Sequence, residues 1–290
     1  MEQLLQHLVN GLVLGGTYAL LGIGLTLIFG LMHVVNFAHG ELYTLGAYAA
    51  FTALALAEVN FFVAVAAALL VGAAAGAGCE RVLLRPLHGE SIDTTMLVMI
   101  GVSIALQNAI LLGFGGVARS IPHPFPTEPL VLGPVSIAPL RVVVLAAAGV
   151  LIAGSYLVIH RTRLGQAMRA TFQDPDTAQL MGVRIHRVHT ATFAFGAALA
   201  SAAGALLGPV FLAYPSMGDL AALRAFCVVI LGGLGNLPGA TLGGLILGIA
   251  EELGAGYVSS GYRDAVGFVI IIAVLLLRPS GLFARAERIG

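Results

Sequence analysis

Few side chains in this sequence can do chemistry, and most of those that can interrupt long apolar runs. Asn36, His39 and Glu41 fall in Val35-Asn-Phe-Ala-His-Gly-Glu41. Gln107 and Asn108 sit side by side in a second run. Asn236 lies in Gly232-Gly-Leu-Gly-Asn-Leu-Pro-Gly239, and Glu251 and Glu252 end a fourth. A buried amide or carboxyl without a partner costs several kcal/mol, so each group must either link helices or offer hydrogen bonds to a polar solute. Catalysis is the poorer reading. There is no Gly-x-Ser-x-Gly, no His-Glu-x-x-His and no Gly-x-x-x-x-Gly-Lys-Ser/Thr phosphate loop, so neither a nucleophile, a zinc site nor a nucleotide cradle is expected. Cys79 and Cys227 stand alone in apolar surroundings, where thiols act as small hydrophobes. No cofactor or metal is expected. Glu41 and Glu251 are candidates for a proton relay but stand isolated.

The elements that carry these groups follow from composition. Of 290 residues 59% are hydrophobic and 10% charged, whereas soluble domains carry about 25% charged residues. Segments 3–40, 94–118, 142–160, 188–218 and 225–250 contain no Asp, Glu, Lys or Arg. Each meets or approaches the roughly 20 apolar residues that a membrane helix needs. The expected fold is an all-α polytopic transmembrane bundle, with spans near 8–30, 36–57, 60–80, 95–115, 140–160, 189–213, 220–235, 240–256 and 264–279. The run around Asn236 can be two short crossings or a re-entrant hairpin, which leaves eight or nine crossings. The 38 glycines suit close helix packing.

Arginine placement predicts the orientation. Arg81 and Arg85, five arginines between Arg161 and Arg187, and Arg278, Arg285 and Arg288 belong inside by the positive-inside rule. The Pro-rich break 116–140 reads as an external loop, with the N-terminus outside and the C-terminus inside. Net charge is zero, and no basic face suggests nucleic acid. The N-terminus lacks a cationic region, so a cleaved signal peptide is not expected.

The breaks at Asn36 and Asn236 each admit two readings. Each is a short loop at the membrane surface, or a broken helix at depth, where irregular backbone is tolerated only against protein or water and where transporters build solute sites. At the surface, Glu41 would lie about 7 Å deeper than Asn36. Gln107 and Asn108 either bond a neighbouring helix or line a solute path. Glu251 and Glu252 are expected at a solvated or interfacial rim.

Between the fifth and sixth spans, 161–188 holds a short helix written in its own capping residues. Asp174 is a suitable N-cap, Pro175 fits the first position, Asp176 suits the positive dipole end, and Gly182 is a left-handed stop. A capped polar helix between spans suggests a docking surface.

Several motifs together resemble the LivH type of branched-chain amino acid permease. They are Asn36-Phe-Ala-His39-Gly40-Glu41, Glu80-Arg81 with Arg85-Pro86, Ser103-Ile-x-Leu-Gln107-Asn108, Gly232-Gly-x-Gly235-x-x-Pro238-Gly239-Ala240 and Gly243-Gly-x-Ile-Leu-Gly248-Ile-Ala-Glu251. The resemblance covers nearly the whole chain and implies a single permease domain over 1–290. It implies an inner-membrane subunit of a bacterial ABC importer for leucine, isoleucine or valine, and not an enzyme. The implied partners are a second, LivM-like permease, two cytoplasmic ATP-binding subunits and a periplasmic or lipid-anchored solute-binding protein. Arg169, Ala170, Asp174, Ala178, Leu180 and Gly182 match the loop that the family presents to its ATPase, with Arg169 where the general Glu-Ala-Ala motif has Glu. The same branch includes permeases for urea, amides and other amino acids. Apart from the resemblance, a stand-alone secondary transporter or channel for a small polar solute fits the residues too; its site would use the two breaks.

Overall fold

The computed structural model describes residues 2–133, 135–278 and 281–283; the expectations for Pro134, Arg285 and Arg288 lie outside them. Eleven α-helices are described: α1 (Glu2–Met32), α2 (His39–Ala55), α3 (Phe61–Cys79), α4 (Ile92–Phe114), α5 (Pro139–Arg161), α6 (Arg163–Gln173), α7 (Pro175–Leu180), α8 (Ile185–Leu207), α9 (Met217–Gly232), α10 (Leu237–Tyr257) and α11 (Arg263–Leu277). An antiparallel hairpin, β1 (Leu130–Leu132) with β2 (Val135–Ile137), lies in the loop between α4 and α5.

Six helices are long and apolar enough to cross a membrane: α1, α3 with its continuation to Leu87, α4, α5, α8 and the segment ending in α11. Burial divides them. Within the apolar segments of α1 and α8, 83% of residues are buried, against 11% in α4 and in α11. A helix apolar all round belongs inside a bundle or against lipid. Here α1 and α8 form the centre, and α4 and α11 face outwards.

Small residues make the centre possible. α10 lies antiparallel along α1, with Gly11 opposite Gly248 and Gly15 opposite Gly244. A Cβ on Gly15 would sit 2.7 Å from the Cα of Leu245, closer than real side chains approach. Gly11, Gly15, Gly244 and Gly248 serve this contact, and other glycines of α1 and α10 admit α5, α8, α9 and α11; those in α4 and α5 face open space.

The helices run alternately between two ends. One end carries the 80–91 link, α6, α7 and the turn 233–236. The other carries the N-terminus, the β-hairpin and the link 258–262. At the α6–α7 end, a buried polar lock joins α3 to α8. Thr190 Oγ1 donates to Glu80 Oε2 at 2.5 Å, and Arg85 Nη2 donates to Thr190 Oγ1 at 2.9 Å. Glu80 itself is wholly buried.

Candidate functional site

The first break lies deep in the bundle. After Met32 the chain reverses through His33, whose φ is 53°, a left-handed conformation in which His is enriched. Residues 34–36 then return without regular secondary structure, and α2 starts at His39. His39 Nε2 donates to the carbonyl of Leu21 at 3.1 Å. Leu21 lies eleven residues before the end of α1, about 16 Å along the helix at 1.5 Å per residue. The surface-loop reading therefore fails for this break. Asn36, His39 and Glu41 are all buried. Neither polar atom of the Asn36 amide has a hydrogen-bond partner, and Glu41 Oε2 has none. Buried polar groups are nearly always paired, so each such orphan calls for an explanation.

The second break is different. Gly235 packs against Gly30 near the end of α1, so residues 233–236 form a turn at the α6–α7 end of the bundle. From there α10 runs the length of α1. Asn236 caps α10, accepting from Gly239 N at 3.2 Å, and its Nδ2 donates to the Phe283 carbonyl at 2.6 Å. Its amide is thus committed to local structure, away from Asn36.

Gln107 and Asn108 also part company. Gln107 Nε2 donates to Asp219 Oδ2 at 3.1 Å, tying α4 to α9. Asn108 bonds back to the Ile104 carbonyl of its own helix at 2.7 Å and is otherwise exposed. Asp219 carries no motif in the sequence, yet it follows Gly218, which packs against Gly40 and the Glu41 carboxylate. Gln107 and Glu41 thus approach one another through α9.

The expectation of a solvated rim at Glu251 and Glu252 is wrong. Their exposures are 1% and 8%. Tyr18 donates to Glu251 Oε2 at 2.9 Å, and Arg224 Nε lies 3.4 Å from the same oxygen. Arg263 donates to Glu252 Oε2 at 2.9 Å. Arg224 also donates to Asp264 at 2.5 Å. The rim reading missed that α9 and α11 each bring an arginine to α10, and buried carboxylates need such partners. The one signal available was a solitary arginine, Arg224, flanked by apolar segments.

The 161–188 loop contains more than one helix. α6 precedes α7, and Thr162 caps it by accepting from Gly165 N at 3.1 Å. Leu164, Met168, Thr171 and Phe172 recur at helical spacing in the sequence, which was the overlooked signal. Phe172 reaches Gly30 and Gly235, placing its ring between α1 and the 233–236 turn. Arg169 donates to the Ile159 carbonyl at the end of α5, so its guanidinium braces the loop.

α7 has the caps its sequence encodes. Asp174 accepts from Thr177 N at 3.0 Å and from Thr177 Oγ1 at 2.5 Å. These bonds hold its carboxyl below the usual carboxylate range. Gly182, with φ 88°, closes the other end. Its N–H bonds Gln179 O at 2.9 Å, and Val183 N bonds Ala178 O at 3.0 Å, the double bond of a Schellman stop. Asp174, Pro175 and Asp176 are exposed, Ala170 is half-buried, and Ala178 is buried as the foot of the helix. Ala178 anchors the helix within the chain. Leu180 and Met181 project, 87% and 82% exposed.

Comparison with known proteins agrees with this architecture. The profile of the family described as branched-chain amino acid transport system / permease component matches residues 7–275. The chain is 40% identical to the high-affinity branched-chain amino acid transport system permease protein BraD of Pseudomonas aeruginosa, across 98% of this chain and 96% of that protein. It is 37% identical to the corresponding protein LivH of Escherichia coli K12, with the same coverage. The ribose import permease protein RbsC of Escherichia coli K12 is 30% identical over 94% of this chain and 85% of that protein. No solved structure matches significantly. With a family match across residues 7–275 and identities of 37–40% over nearly the whole length, this chain belongs to the family of permease components of branched-chain amino acid transport systems.

Proposed function

We propose that this chain is the membrane-spanning subunit of an ATP-driven importer for branched-chain amino acids in the cytoplasmic membrane, with α6 and α7 on the cytoplasmic side. It pairs with a second, LivM-like permease. Two ATP-binding subunits grip the α6–α7 face, and a solute-binding protein docks at the β-hairpin end. The observation that carries this reading is α7 itself. A helix capped at both ends, anchored by Ala178 and presenting exposed Leu180 and Met181, has the form of a plug for an apolar groove. Asp174, Pro175, Asp176 and Leu180 are the contacting residues. Arg169, Ala170 and Gly182 keep the plug in shape.

Transmission follows from Phe172, which wedges α6 against the end of α1 and the α9–α10 turn. A push on α7 reaches α1, the helix against which the first break is seated. Asn36, His39 and Glu41 border the solute path there, with Gln107 positioned through Asp219. Asn108 and Asn236 lie outside it. The relative named a ribose import permease means that scaffold alone does not choose the solute. Leucine is assigned because the relatives at 37–40% identity carry that name.

The test is reconstitution with the cognate partners in proteoliposomes, measuring ATP-dependent leucine uptake. Leu180→Asp and Asp174→Lys should abolish uptake and ATPase recruitment while leaving the permease folded. Unchanged recruitment in both variants refutes the plug. Leu180→Cys should label from the cytoplasmic side only, and labelling from outside overturns the orientation.

A further inference from the structure

We propose that a cavity in front of Arg224 is the solute's subsite on the β-hairpin side of the first break, and that it recognises an amino acid through its carboxylate and aliphatic side chain. This deepens the importer reading and rests on it.

The cavity has a volume of about 400 Å³, within the range of small-molecule sites. It lies among α1, α2, α9 and the 208–216 link. Leu21 lines it, and the Leu21 carbonyl receives His39. The floor of the cavity is therefore the roof of the broken segment, so a solute leaving it meets Asn36 and Glu41 next.

Its lining has a definite chemistry. Arg224 and Arg263 are the only charged groups on the wall; no carboxylate lines it. Tyr18, Tyr43 and Tyr214 contribute rings and hydroxyls, and leucine, phenylalanine, methionine and alanine side chains supply the rest. The two carboxylates that neutralise Arg224, Glu251 and Asp264, face a separate small crevice that shares the Arg224 side chain. They fix the guanidinium, as does the Tyr18 ring, whose centre lies 5.2 Å from it. An arginine carries five N–H donors. Among the described residues, Arg224 Nη2 donates to Asp264, and the buried Nε faces Glu251 Oε2 at 3.4 Å. The remaining Nη donors form a fork suited to a carboxylate.

An arginine within a bundle is expensive and tends to be functional. Here it meets every part of an aliphatic amino acid. The carboxylate takes the fork, the side chain takes the apolar wall, and the Tyr43 and Tyr214 hydroxyls, which make no hydrogen bond among the described residues, can accept from the ammonium. A sugar offers the fork only neutral hydroxyl oxygens, without the charge assistance of a carboxylate. Because Arg224 is already neutralised, the carboxylate is held only weakly, as conduction requires.

The test uses the assembled transporter with Cys79→Ser, Cys227→Ala and Leu220→Cys, Leu220 being on the cavity wall. A small thiol reagent should label position 220. Millimolar leucine should slow labelling several-fold, whereas leucinol, which lacks the carboxylate, should not. Adding Arg224→Lys should remove the protection, since a point charge does not replace the planar fork. In a parallel variant, Ala221→Trp should fill the cavity and reduce uptake by roughly tenfold or more, the loss expected when charge-assisted hydrogen bonds are forfeited. If the unsubstituted transporter takes up no leucine, the importer reading fails and the subsite falls with it. If it takes up leucine, yet position 220 is unprotected or leucinol protects equally, the subsite alone is wrong.

Discussion

The two breaks in this chain are nearly alike in sequence and opposite in use. Each sets an asparagine among glycines between apolar halves. At Asn236 the amide caps a helix, bonds the Phe283 carbonyl and closes a turn near the end of α1. At Asn36 the chain climbs back about 16 Å beside α1, and the amide is left without a partner. The difference teaches that an asparagine near a glycine marks a break in the helix, whereas the depth of that break is set by what packs against it. Gly40 can be seated deep because Gly218 of α9 meets it backbone to backbone. Nothing comparable draws Gly235 inwards, where the Phe172 ring already stands.

The strongest way to break this contrast is to enlarge the glycines. A Cβ on Gly40 would overlap the Gly218 carbonyl and lie 2.8 Å from the Ala222 Cβ. Gly40→Leu should cost about 3 kcal/mol or more through overpacking and leave little folded protein, seen as a collapsed yield and a lowered unfolding midpoint. Gly235→Ala should cost about 1–2 kcal/mol for a side chain at φ 78° yet leave a folded protein, since the nearest side chain is one movable ring. Equal damage from the two would erase the distinction.

Replacing the asparagines comes next. Asn36→Leu removes an unpartnered buried amide, so the unfolding midpoint should hold or rise, while leucine uptake falls by roughly tenfold. Intact uptake would remove Asn36 from the path. Asn236→Ala should do the reverse: about 1 kcal/mol of stability lost with its cap, and uptake per folded molecule unchanged.

The smallest effect concerns Asp174 at the same end as the second break. Its carboxyl is held below the ordinary range in the folded state. The contribution of the cap is therefore complete above the unfolded value and disappears as pH falls through the lower folded one. The protection of the Thr177 amide, its exchange rate relative to the intrinsic rate at the same pH, should hold at neutral pH and fall only in acid. In Asp174→Ala that protection should be low at every pH.

Much of the bundle was legible along the chain. The predicted spans 60–80, 140–160 and 240–256 lie within a few residues of α3, α5 and α10, because a charge-free run of that length has no stable alternative to helix in a bilayer. The α7 caps were legible too, since Asp174, Pro175 and Gly182 act through bonds to their own neighbours. α6 was overlooked although its apolar spacing was present. The span predicted to reach 213 ends at Leu207, where Gly208-Pro209 begins the descent into the link before α9.

Most of the long apolar helices and the capped short helix follow from the order of residues alone, because hydrophobic length and capping are local properties of the chain. Tertiary structure alone decided that Asn36 is deep and Asn236 is not, that Glu251 meets Arg224 and Tyr18, and that Gln107 finds Asp219. Each of those outcomes depends on the depth and rotation of one helix against another. These are set by glycine contacts between residues more than a hundred positions apart, to which no local pattern responds.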